Sequence, residues 1–569
     1  MPINSSLPGR HSRCLFQTAL LILLCVPGCG GDHRSEPVSA APPAVRCPYG
    51  APEAGGTVIY VAANGNDNDN CGASTATPCA SIARGIAQCG VAGCAVAVQH
   101  GLYATTEPIT LRDAVSIHGS CLFGDEPDRH YRTVIDAAPP AGMPAIDAAG
   151  INSATLVSGL LVLGKDETTP GEASMAMRVS ASKGLTMAAV TLSAGKGGDG
   201  AAGKSASGGP GGDGKAPATS SSGDNAPGGP ACPGEPSQPT GRGGLGTESY
   251  DFTANPASCV LSCACQAVEP AKKTPALAAL FNGQDSGRAR GGTAGGNGNS
   301  GPSCNPVGVP PPSAGQPGGE GELGDCGQAG GRRDAEEQAP GAKRFINGRW
   351  LASFGGSGAR GGNGSGGGGG GAGGYAYYNG EREIYYRGLP GGGGGGGGCG
   401  GPGGGGGQQG GASLPLVLID ATVAGLANIA LVPGPGGHGG QGGNGGIGGP
   451  GGIGGPAPFS QVPWPFGQAF MVPGLGGKGG DGGAGGAGAG GAGGNGGPAP
   501  ALLLVANAPT PDLTAGIVYS GTPGLPGARG LGASNPAKAG NINSQCRGSD
   551  GEDGVAGTGS TILRIEEAN

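Results

Sequence analysis

Closely spaced carboxylates are the first residues that could do chemistry. Asp67 and Asp69 alternate with asparagines in the run Gly65–Asn70 (GNDNDN). Carboxylate and amide oxygens at that spacing suit a hard cation such as calcium. No bidentate glutamate follows to complete a calcium loop, and Asn and Asp are also residues of tight turns. A denser charged patch, Asp125, Glu126, Asp128, Arg129, His130 and Arg132, contains the residue types of acid–base catalysis and equally those of a solvated turn. Cys259, Cys263 and Cys265 form a C-x3-C-x-C cluster of possible metal ligands, but no histidine lies nearby. The nucleophile-elbow, phosphate-loop and zinc-protease patterns do not occur. The sequence therefore assigns no catalytic residue and no cofactor, with calcium at Asp67 and Asp69 as the one metal candidate.

Aromatic side chains are the other candidates for ligand contact. Phe345 and Trp350 flank Asn347-Gly348, and Tyr377, Tyr378, Tyr385 and Tyr386 flank Asn379-Gly380. Asn-Gly between apolar residues is a hairpin signal, because both central residues of a type I′ turn need positive φ. Trp350 and the four tyrosines would stack on sugars or proteins if exposed. The competing expectation is that they pack on one another and on bare glycine backbone.

The elements that must position these groups are short strands. β-branched and apolar runs occur at Thr57–Ala62, Ala95–Gln99, Ala114–Ile117, Thr133–Ile135, Ala154–Leu163, Met177–Ser180 and Leu185–Leu192. Val115, Val134, Val157 and Val179 recur at intervals of 19 (134−115), 23 (157−134) and 22 (179−157) residues. That spacing suits one strand per coil of a parallel β-solenoid, in which stacking buries a shared core. Strands resume at Leu414–Ala421 with Leu426–Val432, at Ala501–Val505 with Ala515–Tyr519, and at Thr561–Ile565.

Between the resumed strands the chain is glycine, which supplies 136 of 569 residues. Gly439–Pro450 and Gly476–Gly486 keep a three-residue G-G-x beat. Collagen shares the period but needs proline at the outer positions and three chains. The expected conformer is an extended threefold polyglycine helix, several packing side by side, and the alternative is a flexible linker. The net charge of −7, without a basic run, argues against nucleic-acid binding.

The N-terminus reads as an address. Arg10 and Arg13 precede an apolar run at Ala19–Val26, too short to span a bilayer. Val26-Pro27-Gly28-Cys29 resembles a bacterial lipobox, which implies cleavage before Cys29 and lipidation of its thiol. Gly30 after it implies, by the same resemblance, outer-membrane sorting. Residues 30–56 form a tether rich in Pro, Ala and Ser. Of 17 cysteines, Cys14 and Cys25 leave with the signal and Cys29 takes the lipid, leaving 14 (17−3), an even number suited to an oxidising compartment. Cys71 with Cys79 and Cys89 with Cys94 are plausible local disulfides, and Cys259, Cys263 and Cys265 are disulfide candidates of open connectivity.

The opening IYVAANGNDNDNCGASTATPCASIARGIAQC, then AVAVQHGLYATTEPITLRDAVSIHGSC, resembles the start of right-handed parallel β-helices of the pectin-lyase-like superfamily. The match rests on Val98, Gly101 and Tyr103, then Val115, Ile117 and Gly119. It implies a cap in which Ser81 starts a short helix, with Ile82 and Ile86 covering the apolar end of the stack. The fold hosts lyases, hydrolases, adhesins and passive surface proteins alike. The glycine tracts resemble those of mycobacterial PE-PGRS proteins in repeat type, and the whole arrangement resembles glycine-rich lipoproteins of myxobacteria.

The expectation is an all-β chain, a right-handed parallel β-helix with long glycine-rich insertions. Its parts are a signal and lipobox (1–29), a tether (30–56), N-terminal coils (57–194), an insertion with aromatic hairpins (195–413), a coil (414–433), a second insertion (434–500) and closing coils (501–569). The expected function is a non-catalytic, lipid-anchored envelope protein, structural or adhesive, with membrane and extracellular polysaccharide as partners. The alternative is a polysaccharide lyase or glycoside hydrolase.

Overall fold

The computed structural model describes residues 45–50, 56–90, 93–124, 132–205, 345–371, 389–456, 475–514, 516–534 and 547–565, and the backbone pairing of 298–299, 376–379 and 383–386. All belong to one compact unit, Val45–Asn569. Three parallel sheets carry the fold. The first stacks Val58–Val61, Cys94–Gln99, Val115–Phe123, Thr155–Ser158, Leu185–Ala188 and Val423–Ala427. The second stacks Gly101–Thr105, Thr133–Ala137, Leu160–Gly164, Thr191–Ser193, Ala430–Val432 and Ile517–Val518. The third stacks Ile109–Thr110, Pro144–Ala149, Ser174–Ser180, Ser413–Ile419, Leu502–Val505 and Ile562–Ile565. From Cys94 to Val505 the chain visits the sheets in rotation, each full circuit adding one strand to each; the last described circuit passes from Leu502–Val505 to Ile517–Val518 in the second sheet and Ile562–Ile565 in the third.

Alternation along the strands sends one set of side chains inward. Val96, Ile117, Val157 and Met187 stack in the first sheet, Ile135, Val162 and Leu192 in the second, and Ile146, Met177 and Leu416 in the third, all in one buried cluster. The end of this column is closed by the helix Ile82–Gln88. Ser81 Oγ accepts from Arg84 N at 3.1 Å, and Ile82, Gly85 and Ile86 are buried. A Cβ added to Gly85 would meet Val61 and Val96, so glycine lets the helix settle on the first two strands.

The even 19–23-residue period is not that of the stack. Val115 and Val157 lie in the first sheet, Val134 in the second and Val179 in the third. True circuits measure 21 (Val96 to Ile117), 40 (Ile117 to Val157) and 30 residues (Val157 to Met187). Three strands, not one, fill each circuit.

The next steps are far longer and agree between sheets. Met187 to Leu426, Leu192 to Leu431 and Met177 to Leu416 each span 239 residues. Leu431 to Val518 spans 87, Leu416 to Leu502 86, and Leu502 to Ile562 60. Every long excursion leaves after a second-sheet strand and returns at a third-sheet strand, so all of them emerge from one corner.

At that corner the glycine tracts run side by side. Segment 391–411 donates from Gly392, Gly395, Gly398, Gly401, Gly404 and Gly407 to carbonyls between Gly477 and Ala492. It accepts from Gly355, Gly358, Gly361, Gly364, Gly367 and Gly370 on a second neighbour, and from Gly446, Gly449, Gly452 and Gly455 on a third. Gly405, Gln408 and Gly411 donate to Lys204, Ala201 and Gly198 on a fourth. Bonds recur every third residue, whereas β-pairing would recur every second.

Glycine is required by this closeness. A Cβ on Gly400 would overlap the Gly361 carbonyl oxygen, and one on Gly401 that of Gly446. The third position of each triplet admits side chains such as Cys399 and Pro402. In segment 476–498 the admitting positions are Lys478, Asp481, Ala484 and Ala487. At Gly490, Gly493 and Gly496 the same phase turns to glycine, because a Cβ there would meet the carbonyls of Gly530, Gly527 and Gly524, while segment 548–558 accepts these amides at Ser549, Glu552 and Val555.

The tracts keep the register of the strands. Gly200 donates to His438 (238 residues on), Gly439 to Leu525 (86), Gly392 to Gly477 (85) and Gly490 to Ser549 (59). Each offset is one residue short of the corresponding strand offset. Outgoing arms stack on outgoing arms and returning arms on returning arms. Polar third-position side chains lock this register. His438 Nδ1 accepts from Leu525 N at 3.0 Å, Asn444 Oδ1 from Leu531 N at 2.9 Å, and Asn495 Oδ1 from Val555 N at 2.9 Å.

Candidate functional site

The Asp67 region is a cap. Asp67 Oδ1 accepts from Ala80 N at 2.7 Å and Ser81 N at 2.9 Å, just ahead of the helix. Burial pushes its carboxyl up, but hydrogen bonds from Ser81 and Ala80 and the charge of Arg84 outweigh this and hold it below the usual value. Asp69 is engaged by Arg84 at 2.7 Å on the surface. The Cys71 and Cys79 sulfurs lie within 4.8 Å of an Asp67 oxygen, yet they are bonded to each other and offer no thiolate. Asp67 and Asp69 thus serve a turn and a helix start.

Disulfides join Cys71–Cys79, Cys89–Cys94 and Cys47–Cys121. The last pairing was open in the sequence. It fixes Val45–Arg46, which pairs antiparallel with Leu122 and Phe123, to the outside of the first sheet. Cys399, inside a glycine segment, is also disulfide-bonded. Cys29, Cys259, Cys263, Cys265 and residues Asp125, Glu126, Asp128, Arg129 and His130 lie outside the described residues. Arg132 donates to Thr191 Oγ1 at 3.3 Å. His118 is buried beside Ser158 and Gly50, and burial lowers its pKa.

The aromatic hairpins have different placements. Asn347 and Gly348 have φ of 50° and 73°, and Phe345 pairs with Trp350 across the turn. Phe345 is 0% and Trp350 2% exposed, packed with Met175, Leu414 and Val417 on the outer face of the third sheet. Trp350 is therefore a core residue and not a surface platform; Asn-Gly found the hairpin but carried no information about what covers it. In the second hairpin Tyr377 pairs with Tyr385, Tyr378 with Ile384 and Ala376 with Tyr386. Asn379 pairs with Glu383, so it lies in the strand and the loop is longer than a two-residue turn.

The first hairpin completes the polar cluster at the glycine corner. Arg178 grips Asp147 on the neighbouring strand at 3.0 and 2.7 Å and donates its remaining amine to Gly348 O at 2.8 Å. Arg349 donates to Ala141 O at 2.6 Å and lies 3.7 Å from Glu172 Oε2. Gly142 N approaches Glu167 Oε1 at 3.4 Å. Glu167 is 7% exposed, and burial pushes its carboxyl up, against the Gly142 N–H and the charges of Lys165 and Arg349. Residue spacing could not reveal this cluster, because Ala141, Glu167, Glu172 and Arg349 come from three separate excursions. Comparison with family models, with curated proteins and with solved structures returns no match.

Proposed function

We propose that the chain is a lipid-anchored cell-surface protein with a structural or adhesive role. In this reading the rotating sheets form a right-handed parallel β-helix, and the corner tracts form a slab of polyglycine-II helices projecting from it. Export and lipidation at Cys29 rest on the lipobox resemblance, and the disulfides suit an oxidising compartment. The observation that carries the reading is the shared register of arms and strands. The described arm segments, 195–205, 351–371, 389–412, 433–456, 475–500, 519–534 and 547–560, extend one corner into an ordered, largely backbone surface, which is an investment in shape and not in a pocket.

The test uses the soluble form starting after Cys29, mixed with acidic and neutral polysaccharides, with protein retention and polymer length followed together. Retention without shortening, weakened by Tyr377→Ala with Tyr385→Ala, is the adhesive outcome. Neither effect leaves a structural envelope role. Polymer shortening that disappears in Glu172→Gln would overturn the proposal in favour of a polysaccharide lyase or hydrolase.

A further inference from the structure

Three side-chain polar atoms at the glycine corner are buried without a hydrogen-bond partner among the described residues: Glu167 Oε2, Glu172 Oε2 and Trp350 Nε1. Burying such a group unsatisfied is costly, and a carboxylate most of all. The two glutamates converge on Gly142. Glu167 Oε1 faces its amide, and a Cβ built on Gly142 would collide with Glu172 Oε2 and stand 3.1 Å from Arg349 Nη2. Gly142 has φ of 72°, a conformation that favours glycine, so the backbone can lie directly against both acids. Ala141 O, one residue away, points to the same place, as its bond to Arg349 shows.

We infer that Glu167, Glu172 and the Ala141 carbonyl hold a hard divalent cation of the calcium class, beneath the Phe345–Trp350 hairpin. The donor set is oxygen throughout, as such a cation demands, with water completing the six to eight ligands it takes. Arg349 is the group displaced. Its contact with Glu172 is long and its side chain is 47% exposed, so binding the cation exchanges its hydrogen bond to Ala141 O for water. Glu172, at 26% exposure, gives the entry path, while Glu167 at 7% forms the floor. The cation would tie the 138–143 and 165–173 turns to each other beneath the hairpin, at the corner from which every glycine arm departs. Asp147 and Arg178, which satisfy each other, remain a separate brace.

Terbium is a suitable probe, since it takes calcium sites and emits when a nearby indole is excited. The chain has two tryptophans, Trp350 and Trp464, and Trp350 packs with Ala173, the residue after Glu172. Titrating the full chain with terbium and exciting tryptophan should give saturable emission that calcium competes away. That emission should be lost in Trp350→Phe and in Glu172→Gln and kept in Trp464→Phe. Glu167→Gln should also abolish it; if that variant does not fold, Glu172→Gln, at the more exposed of the two acids, decides. Emission that survives Glu172→Gln, or its absence from the unaltered chain, overturns the inference.

Discussion

Replacing Gly400 by alanine adds one methyl group, and the packing of the glycine arms makes that methyl expensive. Its position overlaps the carbonyl oxygen and carbon of Gly361 in the neighbouring antiparallel segment. The two segments must part locally. Four bonds cross between them there: Gly361 N to Gly401 O at 2.8 Å, Gly364 N to Gly398 O at 2.9 Å, Gly400 N to Asn363 Oδ1 at 2.9 Å, and Arg360 Nε to Gly400 O at 3.2 Å. Each is worth about 1 kcal/mol net, and more where a buried group is left unpaired. Alanine returns roughly 0.4–1 kcal/mol through the unfolded chain. The balance is a loss of about 3–5 kcal/mol, beyond the range of ordinary surface substitutions. Gly90→Ala is the control, because a Cβ there meets nothing within 4 Å; it should be neutral or stabilising by up to ~1 kcal/mol. Urea unfolding of the soluble form, followed by circular dichroism and tryptophan fluorescence together, reads both variants and checks that the transition is cooperative. Equal behaviour of Gly400→Ala and Gly90→Ala would refute the reasoning, since a linker does not distinguish them.

Three further outcomes are expected. Cys47→Ser with Cys121→Ser opens a loop spanning 74 residues; chain entropy puts the loss at about 4 kcal/mol, measurable as a lower melting temperature. Trp350→Ala removes a 2%-exposed ring from the outer face of the third sheet, and should cost about 3–5 kcal/mol in the same urea assay. Asp67 has a folded pKa below its unfolded value, so its contribution is present above the unfolded pKa and lost as pH falls through the folded one. Asp67→Asn should therefore destabilise at neutral pH and flatten the acid limb of a stability–pH curve; an unchanged acid limb would remove Asp67 from that role.

Strand content and the helix cap were legible because they depend on local pattern. Val96, Ile117 and Ile135 alternate with polar or smaller residues, and Ser81 stands just before Ile82 and Ile86. The circuit was misread because Val115, Val134, Val157 and Val179 are equally apolar in whichever sheet they occupy. Period alone cannot say that Val134 and Val157 lie in different walls, nor that Val157 faces the core while Val134 points outward beside the buried Ile135. The G-G-x beat matches hydrogen bonds that recur every third residue, but its phase change after Ala487 became meaningful only with segments 524–530 and 548–558 in place. For Trp350 the sequence left exposure and packing both open for a related reason, because its cover, the outer face of Ser174–Ser180 and Ser413–Ile419, is far away in sequence. The Glu167–Glu172–Arg349 cluster has no linear signature at all.

Amide hydrogen exchange resolved by residue across 391–411 and 476–498 tests the central claim, that the glycine tracts are ordered and packed in the register of the strands. The account predicts slow exchange at Gly392, Gly395, Gly398, Gly401, Gly479, Gly482 and Gly485, whose amides are all donated to neighbouring arms. That protection should fall locally in Gly400→Ala. Uniformly fast exchange throughout both tracts, at the rate of an unstructured glycine chain, would contradict it.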